Sequence, residues 1–338
     1  MPFISIIIPV YNAEEYIESS LRTITSQSFD DWEVILVDDG STDNSPEICD
    51  DFAQSDSRIK VIHQQNAGTS AARNTGIAAA TGQYLTFMDN DDWWRYDDVL
   101  AKMKQKITST GADVLCHINV DSNSDGSQLF DYGVPGVEKE IDSLSADQII
   151  KLLADRALLA SAVWTKVVRR QFIIDNDIIF PVGMRNEDTD WSAKVISLCA
   201  SITWLDDSFY VYRRGHEYAQ TSHRLTQSAV DDLQKILQRH LDASTELSRA
   251  RQQSLFAFLA YPFLVWIGQA QALGLFTKAD ENKDRNQLLA QFPKVARESG
   301  RKSVHYAYLM SRVIGLSAMV RSLGVAFRKK YPHHVAKR

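Results

Sequence analysis

Short apolar runs alternate with amphipathic segments over the first hundred residues. The run at 3–8 is β-branched and almost wholly apolar, which is typical of a strand covered on both faces in a parallel sheet. Pro9 is expected to end that strand, and residues 13–28 then show apolar positions at helical spacing. The continuing pattern predicts strands at 33–37, 59–62 and 83–88. It also predicts one helix that ends at Phe52 and two more helices at 69–80 and 97–110.

Alternating strands and helices predict an α/β fold with a mostly parallel sheet, whose ligands bind at the carboxyl ends of the strands. Further along, the pattern predicts a strand at 113–120, a loop or irregular insertion at 121–143, a helix from Ser145, a strand at 202–214 and helices from Leu225 onward. The stretch 254–277 has no charged residue. Its Pro262 and Gly268 favour a buried helical hairpin, with shallow membrane insertion as the alternative.

The stretch 84–94 concentrates the candidate chemistry. A predicted buried strand runs into Asp89, Asp91 and Asp92 and then into two tryptophans. Clustered carboxylates repel one another unless a cation or a buried partner offsets their charge. Asp89 and Asp91 can converge on a divalent ion and leave positions open for a second ligand such as a diphosphate. The alternative is an acidic turn that merely caps the next helix.

Other polar groups follow the neighbouring predicted strands. Tyr11 offers a flat face for a nucleobase, and Asp39 can accept the imide N–H of a uracil, which guanine or thymine could also supply. Gly68 begins a predicted helix whose backbone N–H groups are open to a phosphate, and Arg73 can donate to a base or a phosphate. The alternatives are core packing for Tyr11 and a surface ion pair for Arg73.

These motifs occur in order as Pro9-Val10-Tyr11-Asn12, Val37-Asp38-Asp39-Gly40-Ser41-Thr42-Asp43, Asn66-Ala67-Gly68 with Ala72-Arg73-Asn74, and the acidic turn. The sequence at these positions resembles the family 2 glycosyltransferases, which have the GT-A fold. The resemblance implies inverting transfer of a sugar from a nucleotide-diphosphate donor, usually with Mn²⁺ or Mg²⁺. It implies that the donor contacts Pro9, Tyr11, Asn12, Asp39, Gly68, Arg73, Asp89 and Asn90, and that the metal ligands are Asp89, Asp91 and His216.

A second acidic cluster begins at Glu187. Glu187-Asp188 followed by a predicted helix resembles the acidic pair of the family, in which one carboxylate is the general base. A carboxylate suits this role, because an attacking alcohol loses its proton as the new bond forms. We assign Asp188 as the base and Glu187 as an orienting group, with Asp190 as the competing candidate. The alternative is that these side chains only complement the helix dipole.

The resemblance implies a GT-A catalytic domain at 1–222, with a nucleotide-sugar-binding half at 1–110 and an acceptor-binding half at 111–222, followed by a helical region at 223–338. The predicted function is metal-dependent, inverting, hexosyltransferase-type transfer from a nucleotide sugar, with UDP favoured, to a saccharide or lipid-linked saccharide in surface polysaccharide biosynthesis. A non-catalytic glycan-assembly scaffold and a sugar nucleotidyltransferase are the alternatives. The latter is disfavoured because no Gly-rich phosphate loop follows the first strand.

Charge is distributed unevenly along the 338 residues, whose net charge is −6. Residues 301–338 hold nine Lys or Arg and no acidic side chain, whereas residues 1–300 hold 28 basic and 43 acidic ones. With apolar residues at helical spacing, this tail predicts peripheral contact with the inner face of an anionic membrane, or alternatively a docked helix. Three scattered cysteines and no secretory signal predict a cytoplasmic location, and we expect no nucleic-acid partner.

Overall fold

A computed structural model describes residues 1–131, 133, 135–215, 225–276 and 283–330. The strands in these ranges are β1 Ile4–Val10, β2 Trp32–Asp38, β3 Ile59–His63, β4 Tyr84–Phe87, β5 Trp93–Trp94, β6 Val114–Ser122, β7 Leu129–Phe130, β8 Lys166–Arg169 and β9 Ile202–Arg213. The α-helices are α1 Ile17–Thr25, α2 Ser45–Ser55, α3 Thr69–Ala79, α4 Val99–Thr110, α5 Glu138–Ile141, α6 Ala146–Asp155, α7 Arg170–Asp175, α8 Glu187–Leu198, α9 Gln227–Ala243, α10 Arg249–Ala272, α11 Lys283–Ala296, α12 Lys302–Val313 and α13 Leu316–Lys330.

One mixed sheet contains all the described strands, in the order β3-β2-β1-β4-β8-β6-β9-β5, with β7 paired to β6. The first four strands in this order are parallel, as expected for strand–helix–strand units. Strand β8 is antiparallel to both β4 and β6, and β9 is parallel to β6. The predicted α/β class is therefore confirmed, with a sheet that is parallel from β3 to β4 and mixed beyond β4.

The sequence pattern predicts that the first strand ends at Pro9, and this prediction is wrong. The strand continues to Val10, and Pro9 faces Val37 of β2 in the parallel register. The pairing of β1 with β4 stops earlier, at Ile7 opposite Phe87. Beyond that point β1 has a strand partner on one side only, so a residue without an N–H can be accommodated there. The extension carries Tyr11 to the end of the sheet.

The stretch 121–143 is more regular than predicted. Strand β6 extends to Ser122, and a turn at 123–128 leads to β7, which forms a hairpin with β6. Helix α5 follows at Glu138–Ile141. The prediction of a loop or irregular insertion is wrong over the first part of this stretch, because the polar residues after Ser122 form a hairpin turn, where Asn123 Oδ1 accepts a hydrogen bond from the Gln128 N–H at 2.9 Å.

The chain forms two compact units. Unit 1 comprises the described residues of Met1–Ala146, Ala162–Gly183 and 198–215, and it contains the whole sheet. Unit 2 comprises Asp147–Ser161, Met184–Ser197 and the described residues from 225 onward, and it is helical. The acidic start of α8 thus belongs to the helical unit. The domain boundary at residue 222 stays a prediction, because these units are defined by packing and not by function.

Helix α10 forms the core of unit 2. The predicted hairpin at 254–277 is wrong over its described part, because residues 254–272 lie in one helix. Gly268, read from the sequence as a break, is a packing position instead: a Cβ there would lie 3.2 Å from the Phe327 ring of α13. Among the described residues, α10 is long and apolar enough to cross a membrane, but 78% of its apolar window is buried inside the protein.

Over residues 301–330, which the structure describes, the basic C-terminal segment divides into two helices at Gly315, which has a φ of 88°. On α13, Met319 and Val320 are buried and Phe327 packs on α10. On α12, Val304 and Ala307 are buried, whereas the large apolar side chains of Tyr306, Leu309 and Val313 are exposed. The docked-helix alternative therefore describes α13, while α12 retains an exposed apolar face.

Candidate functional site

Strands β1 and β2 end in a shared loop cluster. Tyr11, the first residue after β1, is 48% exposed, so its ring is open to a stacking partner and the core-packing alternative is wrong. Asn12 has a φ of 47° and joins the two loops: its N–H donates to Ser41 Oγ at 3.1 Å, and its Oδ1 accepts from the Thr42 N–H at 2.8 Å. Pro9 itself is buried within β1. The structure thus presents Tyr11 and uses Asn12 to fix the loop.

Asp39 holds the loop that leads into α3. Its Oδ1 accepts from Gln64 Nε2 at 2.7 Å and from the Ala67 N–H at 2.9 Å, and its Oδ2 accepts from the Gly68 N–H at 2.7 Å. Only 3% of the residue is exposed. The Gly68 N–H is therefore engaged with Asp39, which corrects the expectation that it is free for a phosphate. A carboxylate oxygen has two lone pairs, so Oδ2 retains one acceptor position.

Arg73 lies on α3 and is buried, with 4% of its side chain exposed. Its Nη2 donates to Asp89 Oδ1 at 3.0 Å, and its guanidinium lies 5.3 Å from the centre of the Phe180 ring. The ion-pair alternative is thus confirmed, although the pair is buried on the arginine side and not on the surface. Arg73 supplies positive charge directly to the first carboxylate of the acidic turn.

The three carboxylates of the acidic turn have different surroundings. Asp89 and Asp91 are partly exposed, whereas Asp92 is completely buried. Burial and the nearby charges of Asp91 and Asp89 raise the pKa of Asp92 well above its usual range. The helix-capping alternative is also wrong, since Asp98 is the residue before α4. Asp89 and Asp91 remain as the accessible pair at the end of β4.

This accessible pair fits a divalent cation bound together with a diphosphate. Such ions are typically held by one or two carboxylates plus substrate phosphates. Within the described residues, no group of three His, Cys, Asp or Glu is arranged to hold a metal by itself. His216, the third predicted ligand, lies outside the described residues. The backbone carbonyl of Asn90 accepts from Ser20 Oγ at 3.2 Å, so α1 supports the turn from one side.

Sequence reading missed the residues behind the turn. In the structure, Tyr210 is 1% exposed and Arg213 is 8% exposed, and both bond to the acidic turn from within unit 1. The available signal was weak, because a tyrosine in an apolar strand gives no hint of which distant carboxylate its hydroxyl will meet.

The second acidic cluster lies at the start of α8, within unit 2. Glu187 and Asp188 are partly exposed in the first turn, after Asn186 with a φ of 63°. The approach to the helix is tied to α9, since the Arg185 N–H donates to Asp232 Oδ2 at 3.2 Å. The helix therefore begins where the sequence predicted, with its acidic side chains next to its positive end.

Asp190 is unlike its two neighbours, because its side chain is fully buried. Its Oδ1 lies 2.9 Å from both Arg239 Nη1 and His240 Nε2 of α9, and Lys194 Nζ is 3.7 Å from its Oδ2. Burial alone would raise the pKa of Asp190, but the bond to His240 and the charges of Arg239 and Lys194 outweigh it and lower the pKa. A carboxylate so enclosed is a structural ion-pair partner.

Comparison with known proteins agrees with the family resemblance of the sequence. Residues 5–143 match the family described as Glycosyl transferase family 2. GlyG, a glycosyltransferase of Streptococcus pneumoniae serotype 4, is 34% identical over 218 residues, which cover 62% of this chain and 70% of GlyG. The chain spans between 30% and 70% of the length of the curated relatives it matches.

Two solved structures share the architecture. S. aureus TarS 1-349, crystallised with UDP-GlcNAc, has a TM-score of 0.71 and 23% identity, covering 97% of this chain and 92% of that one. A mannosyltransferase from Pyrobaculum calidifontis, in complex with GDP-Man and Mn²⁺, has a TM-score of 0.56 and 15% identity, covering 98% and 88%. These likenesses confirm the predicted GT-A fold with its helical C-terminal region. The match at residues 5–143 and the relationship to GlyG show that the chain belongs to glycosyl transferase family 2.

Proposed function

We propose that this protein transfers a sugar from a nucleotide-diphosphate sugar, with UDP as the favoured nucleotide, by a metal-dependent inverting mechanism. The observation that carries the proposal is the pair Asp89 and Asp91, partly exposed at the carboxyl end of β4, while Asp92 is withdrawn. Tyr11 and Asp39 follow the neighbouring strands β1 and β2 of the same sheet. This is the edge at which parallel α/β sheets bind their ligands.

The donor would be held by groups from unit 1. The Tyr11 ring would stack on the base, and Asp39 Oδ2 would accept the imide N–H through its remaining lone pair. Asp89, Asp91 and the Asn90 segment between them would hold the diphosphate with its Mn²⁺ or Mg²⁺. The bound cation would offset the negative charge that develops on the departing diphosphate. TarS with UDP-GlcNAc supports the nucleotide, and the mannosyltransferase with Mn²⁺ supports the metal.

Asp188 is the proposed general base. In a single displacement, the acceptor hydroxyl attacks the anomeric carbon, the bond to the diphosphate breaks, and the hydroxyl proton passes to a carboxylate. Asp188 is partly exposed, whereas the competing Asp190 is buried in an ion-pair cluster and has no accessible oxygen. Glu187, beside it at the start of α8, would orient the acceptor or the loop.

The proposed acceptor is a saccharide or a lipid-linked saccharide of a surface polysaccharide, at the cytoplasmic side of the cell membrane. Confinement of enzyme and acceptor to one surface would raise their local concentrations. The exposed apolar residues of α12, among the basic side chains of a segment without acidic ones, support this placement.

A panel of nucleotide sugars tests the activity without knowledge of the acceptor. We expect slow Mn²⁺-dependent hydrolysis of one or a few UDP-sugars, which would name the donor. If only GDP-sugars are hydrolysed, the donor nucleotide is GDP and not UDP. If hydrolysis persists in excess EDTA, the reaction does not require a metal. No turnover of any donor, with intact nucleotide binding, would support the scaffold alternative.

A further inference from the structure

Residues of β9 hold the acidic turn in place through hydrogen bonds. The Asp89 N–H donates to Tyr210 Oη at 3.1 Å, and the Tyr210 hydroxyl donates to Asp92 Oδ2 at 2.6 Å. The hydroxyl thereby links the first and last residues of the turn. Tyr210 and Asp92 are 1% and 0% exposed, so water cannot replace either bond.

Arg213 fastens the middle of the same turn. Its backbone N–H donates to Asp92 Oδ1 at 2.9 Å, and its Nε donates to the Asp91 carbonyl oxygen, also at 2.9 Å. Its Nη1 donates to the Ser124 carbonyl oxygen at 3.0 Å, which connects the turn to the hairpin that follows β6. One side chain thus fixes the backbone of the residue whose carboxylate is a proposed metal ligand.

Close packing holds the Arg213 guanidinium in place. It lies 4.8 Å from the centre of the Tyr16 ring and 4.7 Å from that of Trp93. Gly126 of the hairpin turn approaches so closely that a Cβ there would lie 3.3 Å from Arg213 Nη1 and 3.2 Å from the Trp93 ring. Trp164 also stacks on the Tyr210 ring, at 4.4 Å and an interplanar angle of 6°.

We propose that Asp92, Tyr210 and Arg213, here called the brace, are positioning residues for the donor site. The brace fixes the backbone of Asp89 to Asp91 so that the two accessible carboxylates already face the donor diphosphate and its cation before binding. Its members need not touch the donor. The inference rests on the proposed function for its ligand, while its geometry stands on the contacts within unit 1. A preorganised turn lowers the ordering cost of binding, so loosening it should weaken donor affinity.

Tyr210→Phe tests the brace, with Tyr84→Phe as the matched control. Tyr84 is also buried, and its hydroxyl donates to the Ala112 carbonyl oxygen at 3.1 Å, away from the turn. Each variant loses one buried hydroxyl, which makes two hydrogen bonds in Tyr210 and one in Tyr84, so Tyr210→Phe is expected to lose more thermal stability than Tyr84→Phe. Calorimetry with UDP, and in parallel GDP, in MnCl₂ should show about fivefold to tenfold weaker binding for Tyr210→Phe alone. Equal affinities of the two variants would overturn the brace.

A second measurement tests the brace without depending on which nucleotide the protein binds. Amide hydrogen exchange should rise at residues 89–94 in Tyr210→Phe and stay unchanged there in Tyr84→Phe. Should Tyr210→Phe fold poorly, Arg213→Lys removes the guanidinium bonds but keeps the charge, and the same two results are expected. Unchanged exchange at 89–94 overturns the brace. Absent nucleotide binding in the unaltered protein would instead refute the donor and metal proposal.

Discussion

At the scale of single residues, the charges at the end of β4 are divided among different roles. Asp89 is compensated in part by Arg73, and Asp92 is buried against Tyr210. Asp91 is the strongest candidate for a cation ligand, because it is partly exposed and lies two residues after Asp89 at the end of the strand. Binding of a metal–nucleotide complex should therefore depend on it.

Asp91→Ala should weaken Mn²⁺-dependent binding of UDP by about tenfold or more, because a charge-assisted contact to the cation is lost. Calorimetry with and without MnCl₂ measures this. Asp97→Ala, which removes an exposed carboxylate a few residues later, is the matched control and should bind as the unaltered protein does. Unchanged metal-dependent binding in Asp91→Ala would contradict the assignment of this ligand.

Glu33 is a second buried carboxylate with a measurable consequence. Burial would raise its pKa, but hydrogen bonds from Lys60, Ser5 and Thr81 outweigh that effect and lower the pKa from 4.5 to about 2. Because the pKa is lower in the folded state, this carboxylate stabilises the fold fully above pH 4.5. The stabilisation is lost as the pH falls from 4.5 towards 2.

Glu33→Gln should cost about 2 kcal/mol in the free energy of unfolding at pH 7, because the charge-assisted bond to Lys60 is lost. Denaturant unfolding at several pH values should show this difference shrinking below pH 4.5. Glu47→Gln removes an exposed carboxylate on α2 and should change stability little at any pH. A penalty for Glu33→Gln that does not vary with pH would show that lost packing, and not charge, is its cause.

At the scale of elements, α8 carries two carboxylates with separable roles. Asp188 is partly exposed at the start of the helix, whereas Asp190 is buried against Arg239 and His240 of α9. Both lie in unit 2, two residues apart. The same isosteric substitution at each position therefore separates chemistry from stability.

Asp188→Asn should reduce the transfer rate by about 100-fold or more with donor affinity unchanged, because the amide cannot accept the acceptor proton. Asp190→Asn should instead cost about 3 kcal/mol in stability, because it leaves Arg239 and His240 poorly compensated. Kinetics and thermal unfolding of both variants measure the two effects. Full transfer activity in Asp188→Asn would move the base to Glu187, since Asp190 is not accessible.

At the scale of the whole molecule, the proposed membrane contact can be assigned to a particular helix. Tyr306, Leu309 and Val313 of α12 are 65%, 43% and 81% exposed. Helix α13 packs on α10 instead, so truncation of the tail would expose apolar residues of α10. A change in membrane binding after truncation would then not be specific to α12. Point substitutions on α12 avoid this problem.

The double variant Leu309→Asp with Val313→Asp should lose cosedimentation with vesicles of phosphatidylglycerol and phosphatidylcholine at low salt. Both substitutions replace an apolar side chain that would contact the lipid with a negatively charged one. The added charges also oppose the attraction between the basic residues and the anionic lipid, which is about 1 kcal/mol per basic residue. Val325→Asp is the control, since Val325 is 59% exposed on α13. An equal loss in the control would shift the contact to α13, and no binding by the unaltered protein would leave the tail a purely structural element.

The sequence by itself determined the strand–helix alternation, the placement of Tyr11, Asp39 and the acidic turn at strand ends, and the start of α8 at Glu187. These features depend on local periodicity, on turn and helix-start chemistry, and on the rule that carboxyl ends of parallel strands share one edge. Residues whose roles follow from a few neighbours in sequence were therefore predictable.

Only the tertiary structure decided which polar groups are accessible and which are partners. Arg73 lies 16 positions from Asp89, Tyr210 lies 118 from Asp92, and Asp190 lies 49 from Arg239. Nothing in a local pattern selects such pairs. The same holds for α10, where Gly268 reads as a helix break in sequence but provides the space in which Phe327 packs. Long-range packing determined these roles, because burial and pairing depend on which distant segments meet.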